Sequence, residues 1–269
     1  MTVSRREKRR PKLYQRKSLL IAFALTVLLI ILVYADLSAI QSNLDQGKTL
    51  KAAIIDQLNS SHSNNTFWLT ANSMFQSNGW SLHYYSGSLS SADVTFYRSL
   101  PQRAFNIVII RSHTAMEYST GTLAIFTSEQ WDDEKASTTY LTDAMNDRIA
   151  RVRVTLNSTA YFGITSNFVK AMNGNFQDSI IIMMGCESLT NTKMAEAFIE
   201  KGAKAYIGWT GLVSADHTDA ATQQLLKHLI VEKKTMATAI TETLTEVGKD
   251  PTYESTMSYY PSQAGEYRP

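Results

Sequence analysis

From residue 51 onward, runs of consecutive apolar residues alternate with segments whose apolar residues recur at helical spacing. Apolar runs typical of buried strands lie at 51–56, 80–85, 105–111, 179–184 and 203–209, with shorter ones at 123–127 and 148–155. The spacing predicts helices over 65–78, 93–100, 167–172, 193–201, 219–232 and 236–247. Strands that are apolar throughout are covered on both faces, so this alternation predicts an α/β domain with a mostly parallel sheet.

The predicted domain covers residues 51–250. Residues 36–50 are polar and are typical of a stalk or linker, and residues 251–269 are Tyr-rich and are predicted to be an irregular tail. No internal repeat or second domain boundary is evident within 51–250.

Residues 18–35 contain 18 residues without a charge. A helix of that length is about 27 Å long, close to the hydrocarbon thickness of a bilayer, so the sequence predicts one N-terminal transmembrane helix. Residues 1–17 carry eight basic residues and one acidic residue, a net charge of +7. By the positive-inside rule this basic tail stays cytoplasmic, and the rest of the chain lies outside the cell membrane as a single-pass protein.

A signal peptide cleaved after Ala35 is the competing interpretation of this segment. The apolar run is longer than the usual hydrophobic region of a signal peptide, which favours an uncleaved signal anchor. The whole chain has a net charge of +2, so residues 18–269 carry −5. This mildly acidic body gives no reason to expect a nucleic-acid partner.

Two reactive side chains directly follow predicted strands. His113 lies two residues beyond the run at 105–111, and Cys186 lies two residues beyond the run at 179–184. The carboxyl ends of parallel strands meet at one sheet edge, so the two side chains are expected to be neighbours there. An imidazole beside a thiol can serve as its base in nucleophilic catalysis. The alternative is that Cys186, the only cysteine, is a packed core residue.

Gly185 leaves space beside the thiol, and the backbone N–H of Cys186 is a candidate oxyanion donor. A single cysteine excludes an intrachain disulfide and a cysteine-cluster metal site. No cofactor and no catalytic metal are expected.

The order of His before Cys, the run Gly185-Cys186-Glu187-Ser188 and the segments 194–198 and 202–209 resemble clan CD cysteine peptidases, in particular gingipain- and clostripain-like members. The likeness covers roughly residues 50–250, and the whole chain also resembles archaeal membrane-anchored proteins of this type. It implies a three-layer caspase-like sandwich and a His113–Cys186 dyad that hydrolyses peptide bonds in a peptide or protein substrate. The family usually has Gly directly after the His, where this chain has Thr114, the second candidate oxyanion donor.

Three acidic residues are candidates for substrate binding. In relatives an acidic residue at the end of the first strand binds a basic side chain, and Asp56 has that position here. Its alternative role is to cap a loop or helix. Glu187 follows the nucleophile, and Asp216 follows the strand predicted at 203–209, where it borders the cleft or begins a helix. Two functions stay open: a membrane-anchored cysteine peptidase, or an inactive caspase-like binding or scaffold module.

Overall fold

The computed structural model describes residue 23 and residues 25–34, 50–86 and 92–269. The chain divides into two units, Met1–Thr49 and Leu50–Pro269. In the first unit, residues 25–34 are helical. Among the described residues, no helix has the length and apolar character that crossing a bilayer requires. The predicted tail 1–17, part of the predicted span 18–35 and all but the last residue of the predicted linker 36–50 lie outside the described residues.

The second unit contains two sheets. The strands are β1 (Lys51–Asp56), β2 (Ser81–Ser86), β3 (Ile107–Arg111), β4 (Thr114–Glu117), β5 (Thr122–Gln130), β6 (Ile149–Val152), β7 (Tyr161–Thr165), β8 (Ile180–Met183), β9 (Ala205–Trp209) and β10 (Met257–Tyr260). The larger sheet has the order β10-β9-β8-β3-β1-β2, and only β10 is antiparallel to its neighbour. The smaller sheet, β4-β5-β7-β6, is antiparallel throughout.

Within the described residues of this unit, eight α-helices connect the strands. They are α1 (Asn65–Ser77), α2 (Val94–Arg98), α3 (Asp133–Ser137), α4 (Leu141–Met145), α5 (Ser166–Lys170), α6 (Lys193–Glu200), α7 (Ala215–Leu226) and α8 (Met236–Val247). A π-helical turn, Lys227–Val231, continues α7, and short 3₁₀ turns lie at Gln57–Ser60, Leu100–Arg103 and Ser262–Glu266.

Both faces of the large sheet are buried, as the apolar strands predict. Along β1, Ala53 and Ile55 pack into one core with residues of α2, α5 and α6. Ala52 and Ile54 pack into a second core with residues of α1, α7 and α8. Successive side chains of a strand point to opposite faces, so the sheet lies between two helical layers. The predicted α/β class with a mostly parallel sheet is confirmed.

Several elements differ from the sequence prediction. The antiparallel sheet contains two strands that the apolar pattern did not indicate, β4 and β7. The region 251–269, predicted to be irregular, contains β10, whose Met257 is buried and whose backbone pairs with β9. Helix α7 begins four residues before the predicted start at 219, and Ser214, in an extended conformation, has the N-cap position.

A buried ion-pair network joins the carboxyl edge of the large sheet to the helices. Arg111, the last residue of β3, is 1% exposed. Its Nη1 donates to Oδ1 of Asp56 on β1 at 2.8 Å, and its Nε and Nη2 donate to the two carboxylate oxygens of Asp219 on α7 at 2.7 and 2.8 Å. Nη2 also donates to the His62 carbonyl at 2.7 Å. One guanidinium therefore fixes two strands, a helix and the loop before α1.

Replacing Arg111 with Met is expected to lower the free energy of unfolding by about 3–5 kcal/mol, because it leaves two buried carboxylates without a cation. The measurement is urea unfolding followed by tryptophan fluorescence. The control is Lys170→Met, which removes an exposed ion pair with Glu200 and should cost no more than about 1 kcal/mol. An Arg111→Met variant no less stable than this control would contradict the network's role.

Candidate active site

The chain enters the large sheet at β1 and extends from it in both directions, with β2 on one side and β3 on the other. In such sheets ligands bind at the carboxyl ends of the strands near this point. A cavity of about 400 Å³ opens there. Segments that follow β1, β3, β8 and β9 line it, with Leu58, His62, Ser112, His113, Met184, Gly185, Cys186, Val213, Ser214, Ala215, Asp216, Thr218 and Tyr253.

Cys186 presents its thiol to this cavity from the loop after β8. The Sγ atom donates to the Val213 carbonyl at 3.4 Å and accepts from the Val213 N–H at 3.5 Å. The next residue, Glu187, has a φ of 54°, a left-handed conformation that is uncommon outside glycine, and its N–H donates to the Gly211 carbonyl at 2.7 Å. The loop after β9 therefore holds both the thiol and the residue that follows it.

His113 enters the same cavity from the segment between β3 and β4. Its ring packs edge-on between His62, at 6.2 Å between ring centroids, and Phe126, at 5.8 Å. In the described part of the chain, neither ring nitrogen of His113 makes a hydrogen bond, so the ring is not tied to Cys186 in this state. Catalytic hydrogen bonds often form only when substrate binds, so this geometry is compatible with a later contact.

The electrostatic environment keeps both groups uncharged. Burial, and then the neighbouring His62, lower the pKa of His113 below its ordinary value. Burial raises the pKa of the Cys186 thiol, and backbone hydrogen bonds from Val213 only partly oppose this. Both shifts favour a neutral imidazole and a protonated thiol over a preformed thiolate–imidazolium ion pair at neutral pH.

Gly185 is required by the close approach of β4. A Cβ at this position would lie 2.6 Å from Cγ2 of Thr114 and 2.8 Å from the Ser112 carbonyl oxygen. The Thr114 hydroxyl donates to the Cys186 carbonyl. The Thr114 side chain thus fills the space beside Gly185 and anchors the loop that carries Cys186.

The backbone N–H of Thr114 points away from the small sheet. The Phe126 N–H donates to the His113 carbonyl at 3.1 Å, and Thr114 lies opposite Ile125 in the ladder. Thr114 and Ile125 are therefore a non-hydrogen-bonded pair, whose N–H groups point outward from the two strands. Because β4 is an edge strand, this donor is not used in pairing β4 with β5.

The three acidic candidates have different surroundings. Asp56 is 2% exposed and is bound to Arg111 and to the Tyr84 hydroxyl, so its charge is already compensated inside the protein. Glu187 accepts a hydrogen bond from the exposed Tyr118 hydroxyl at 2.8 Å and is not among the residues that line the cavity. Asp216, in the first turn of α7, does line it.

Among the residues of the cavity wall that the sequence prediction missed, His62 and Val213 contact the candidate pair. His62 lies six residues beyond β1, at the same sheet edge, so the strand-end rule that identified His113 could also have indicated it. Val213, which contacts the thiol through its backbone, has no readable signal because a backbone contact does not depend on residue type.

Asp250 supports the cavity wall from behind. Its Oδ2 accepts from the N–H and the hydroxyl of Ser214, and its Oδ1 accepts from the N–H groups of Thr252 and Tyr253. Burial opposes ionisation of this carboxyl, but the four hydrogen bonds outweigh it and lower its pKa to about 2. Two segments of the wall, at Ser214 and Tyr253, are thereby held together by a carboxylate that stays ionised at neutral pH.

The fold and the site define a mixed α/β protein with a cysteine and a histidine at the carboxyl edge of a mostly parallel sheet. No protein-family model and no curated protein sequence matches the chain. One similar solved structure is the complex of Porphyromonas gingivalis RgpB pro- and mature domains, with 10% identity, a TM-score of 0.48, and coverage of 81% of this chain and 48% of that chain. Another is the Arg-specific cysteine proteinase gingipain R (RgpB), with 12% identity, a TM-score of 0.45, and coverage of 75% and 43%. The chain thus spans less than half the length of these two structures.

The raised thiol pKa predicts slow alkylation of the free protein at neutral pH. Cys186 is the only cysteine, so iodoacetamide uptake measured by mass spectrometry reports on it alone. The rate should rise about tenfold per pH unit through the neutral range, and it should stay below the rate for the urea-unfolded chain at the same pH. A rate that has already reached its plateau at pH 6 would contradict the neutral pair.

Proposed function

We propose that this chain is a membrane-anchored cysteine peptidase-like protein that hydrolyses peptide bonds through Cys186 and His113. The observation that carries the proposal is that the two side chains, 73 positions apart in the sequence, line one cavity at the carboxyl edge of the sheet. The resemblance of the Cys186 and His113 segments to clan CD peptidases motivates the choice of substrate class.

In the proposed mechanism the thiol and the imidazole both start uncharged. His113 therefore acts as a general base and takes the thiol proton while Cys186 attacks the substrate. Cys186 Sγ bonds to the peptide carbonyl carbon while its proton passes to the neutral His113 ring. His113 then gives this proton to the leaving amine as the C–N bond breaks, which leaves a thioester on Cys186. A water molecule, deprotonated by His113, attacks the thioester, and the proton returns to the departing thiolate. The lowered pKa of His113 suits these steps because the base form predominates at neutral pH.

The negative oxygen of the tetrahedral intermediate requires hydrogen-bond donors. In this proposal they are the backbone N–H groups of Thr114 and Cys186. Thr114 can take part despite its side chain because the donor is its backbone N–H, which the strand pairing leaves free. Gly185 allows the close contact between the Thr114 segment and the nucleophile loop.

Among the three acidic candidates, Asp216 is the one that we assign to substrate binding. It lines the cavity and carries an exposed carboxylate, whereas Asp56 is paired with an internal arginine. A carboxylate at this position would favour a substrate with a basic side chain near the cleaved bond.

Membrane attachment through residues 18–35 is part of the proposal. Its support is the uncharged run of 18 residues and the adjacent segment with a net charge of +7. The domain with the cavity would then lie outside the cell membrane.

Washing membranes with alkaline carbonate should leave the full-length chain in the pellet. Release into the supernatant would contradict a spanning anchor.

A second candidate function is an inactive binding or scaffold module on the same fold. It is favoured by the raised pKa of Cys186 and by the Thr114 side chain, which occupies the space beside Gly185. A peptidyl ketone directed at thiols distinguishes the two functions. An active peptidase should form the adduct far faster than a small thiol in solution reacts with the same ketone, because the peptide part of the reagent binds in the cavity first.

The cleavage test uses the full-length chain in detergent and a peptide library with basic and neutral residues. Cys186→Ala and His113→Ala should each lower kcat/KM by at least about a thousandfold, because each removes a group that takes part in bond breaking. The matched control is His83→Ala, which removes an exposed imidazole on β2 that packs against Phe105. Undiminished cleavage by purified Cys186→Ala would disprove the proposed mechanism.

A further inference from the structure

A second cluster of reactive side chains lies where α7 ends. The α-helix continues there into the π turn Lys227–Val231, in which the Glu232 N–H donates to the Lys227 carbonyl at 3.0 Å. Turns of this type are rare in proteins, and those that occur are often found at functional sites. Here three consecutive residues, beginning with His228, are buried. His228 is 1% exposed although its nearest polar neighbours are acidic side chains.

Three glutamates surround the His228 ring. Its Nδ1 lies 2.9 Å from Oε2 of Glu232 and 3.5 Å from Oε2 of Glu242. Its Nε2 lies 3.5 Å from Oε2 of Glu246, but among the described residues this nitrogen has no hydrogen-bond partner. Glu242 and Glu246 lie four residues apart on α8 and therefore on one face of that helix. A fully buried ring nitrogen without a partner is costly, and its presence here needs an explanation.

The spacing of these atoms fits a metal ion. One ligand atom from each of His228, Glu232 and Glu242 lies within 4.8 Å of the other two. Tetrahedral zinc with nitrogen and oxygen ligands at about 2.0–2.1 Å requires its ligand atoms to be roughly 3.3 Å apart. The two distances from Nδ1, 2.9 and 3.5 Å, lie on either side of that value.

A cation already lies between the two carboxylates. The Lys234 ammonium is 2.6 Å from Oε2 of Glu232 and also bonds Glu242. Lys227 lies 3.4 Å from Glu232, so two ammonium groups face three carboxylates in this cluster, and acidic groups outnumber basic ones by one.

We propose that His228, Glu232 and Glu242 bind a divalent transition-metal cation that displaces the Lys234 ammonium. The imidazole binds the ion through Nδ1, and the two carboxylates each supply Oε2. The proton on Nε2 is then directed at Glu246, the arrangement in which a carboxylate orients a metal-bound histidine. The mixed nitrogen and oxygen donors suit Zn²⁺ better than Ca²⁺, which prefers oxygen ligands alone.

The site links the π turn to α8 and contains no residue of the cavity with Cys186. It is independent of the proposed peptidase activity, for which no metal is invoked. A bound ion stabilises the folded chain by mass action, so saturating Zn²⁺ should raise the midpoint of thermal unfolding by a few degrees.

The test is a Zn²⁺ titration of the full-length, metal-stripped chain in detergent, with Cys186→Ala in every sample to remove the only thiol. One ion should bind per chain. Glu242→Gln should weaken the affinity by roughly tenfold or more, since it removes a charged ligand. Lys234→Met should strengthen it several-fold, because the competing ammonium is gone. These two residues are only partly buried, so the variants are suited to test the site without loss of the fold.

The controls are His62→Gln, in the cavity with Cys186, and Glu200→Gln, an exposed carboxylate on α6. Both should leave Zn²⁺ affinity unchanged. The proposal is overturned if no saturable binding occurs up to about 1 mM Zn²⁺. It is also overturned if Lys234→Met and Glu242→Gln have no effect, if His62→Gln abolishes binding, or if Ca²⁺ competes as well as Zn²⁺.

Discussion

The buried guanidinium of Arg111 is the constraint on which the geometry of the candidate site depends. It binds Asp56 on β1, Asp219 on α7 and the backbone at His62. The two carboxylates come from separate parts of the chain, and the sheet edge would carry an unpaired buried charge if either moved away. His113 lies two residues beyond Arg111, so the same ion pairs that fix the end of β3 also fix the start of the segment that carries the imidazole.

The same network changes the role that we assign to Asp56, the acidic residue at the end of β1. In a free state Asp56 would be a natural partner for a basic substrate side chain. Its pairing with Arg111 compensates that charge within the protein, and Asp216 is left as the exposed carboxylate of the cavity. Burial favours the neutral forms of the thiol and the imidazole, so the proposed reaction relies on proton transfer during attack and not on a preformed thiolate.

Continuous apolar runs made the parallel strands predictable, because burial on both faces leaves a strong pattern; β1 and α8 have the predicted bounds. The antiparallel sheet was less visible. Strand β7 contains Gly163, where a Cβ would lie 2.7 Å from a Val152 methyl group. The glycine is needed because β6 packs so closely there, and the sequence of β7 alone does not show this. In the site, the strand-end rule predicted that His113 and Cys186 lie at one edge of the sheet, and both residues line one cavity there. It could not show which carboxylate Arg111 would bind, because that depends on contacts between residues 108 positions apart.

The central claim is that Cys186 forms the covalent intermediate and that His113 serves it as base. The most direct measurement is rapid acid quenching of the full-length chain during turnover of a cleavable peptide ester, followed by mass spectrometry of the intact protein and of its fragments. The account predicts an acyl group on Cys186 that is absent from His113→Ala at the same reaction time. Hydrolysis of the ester without acylation of Cys186, or acylation that is as fast in His113→Ala, would contradict it.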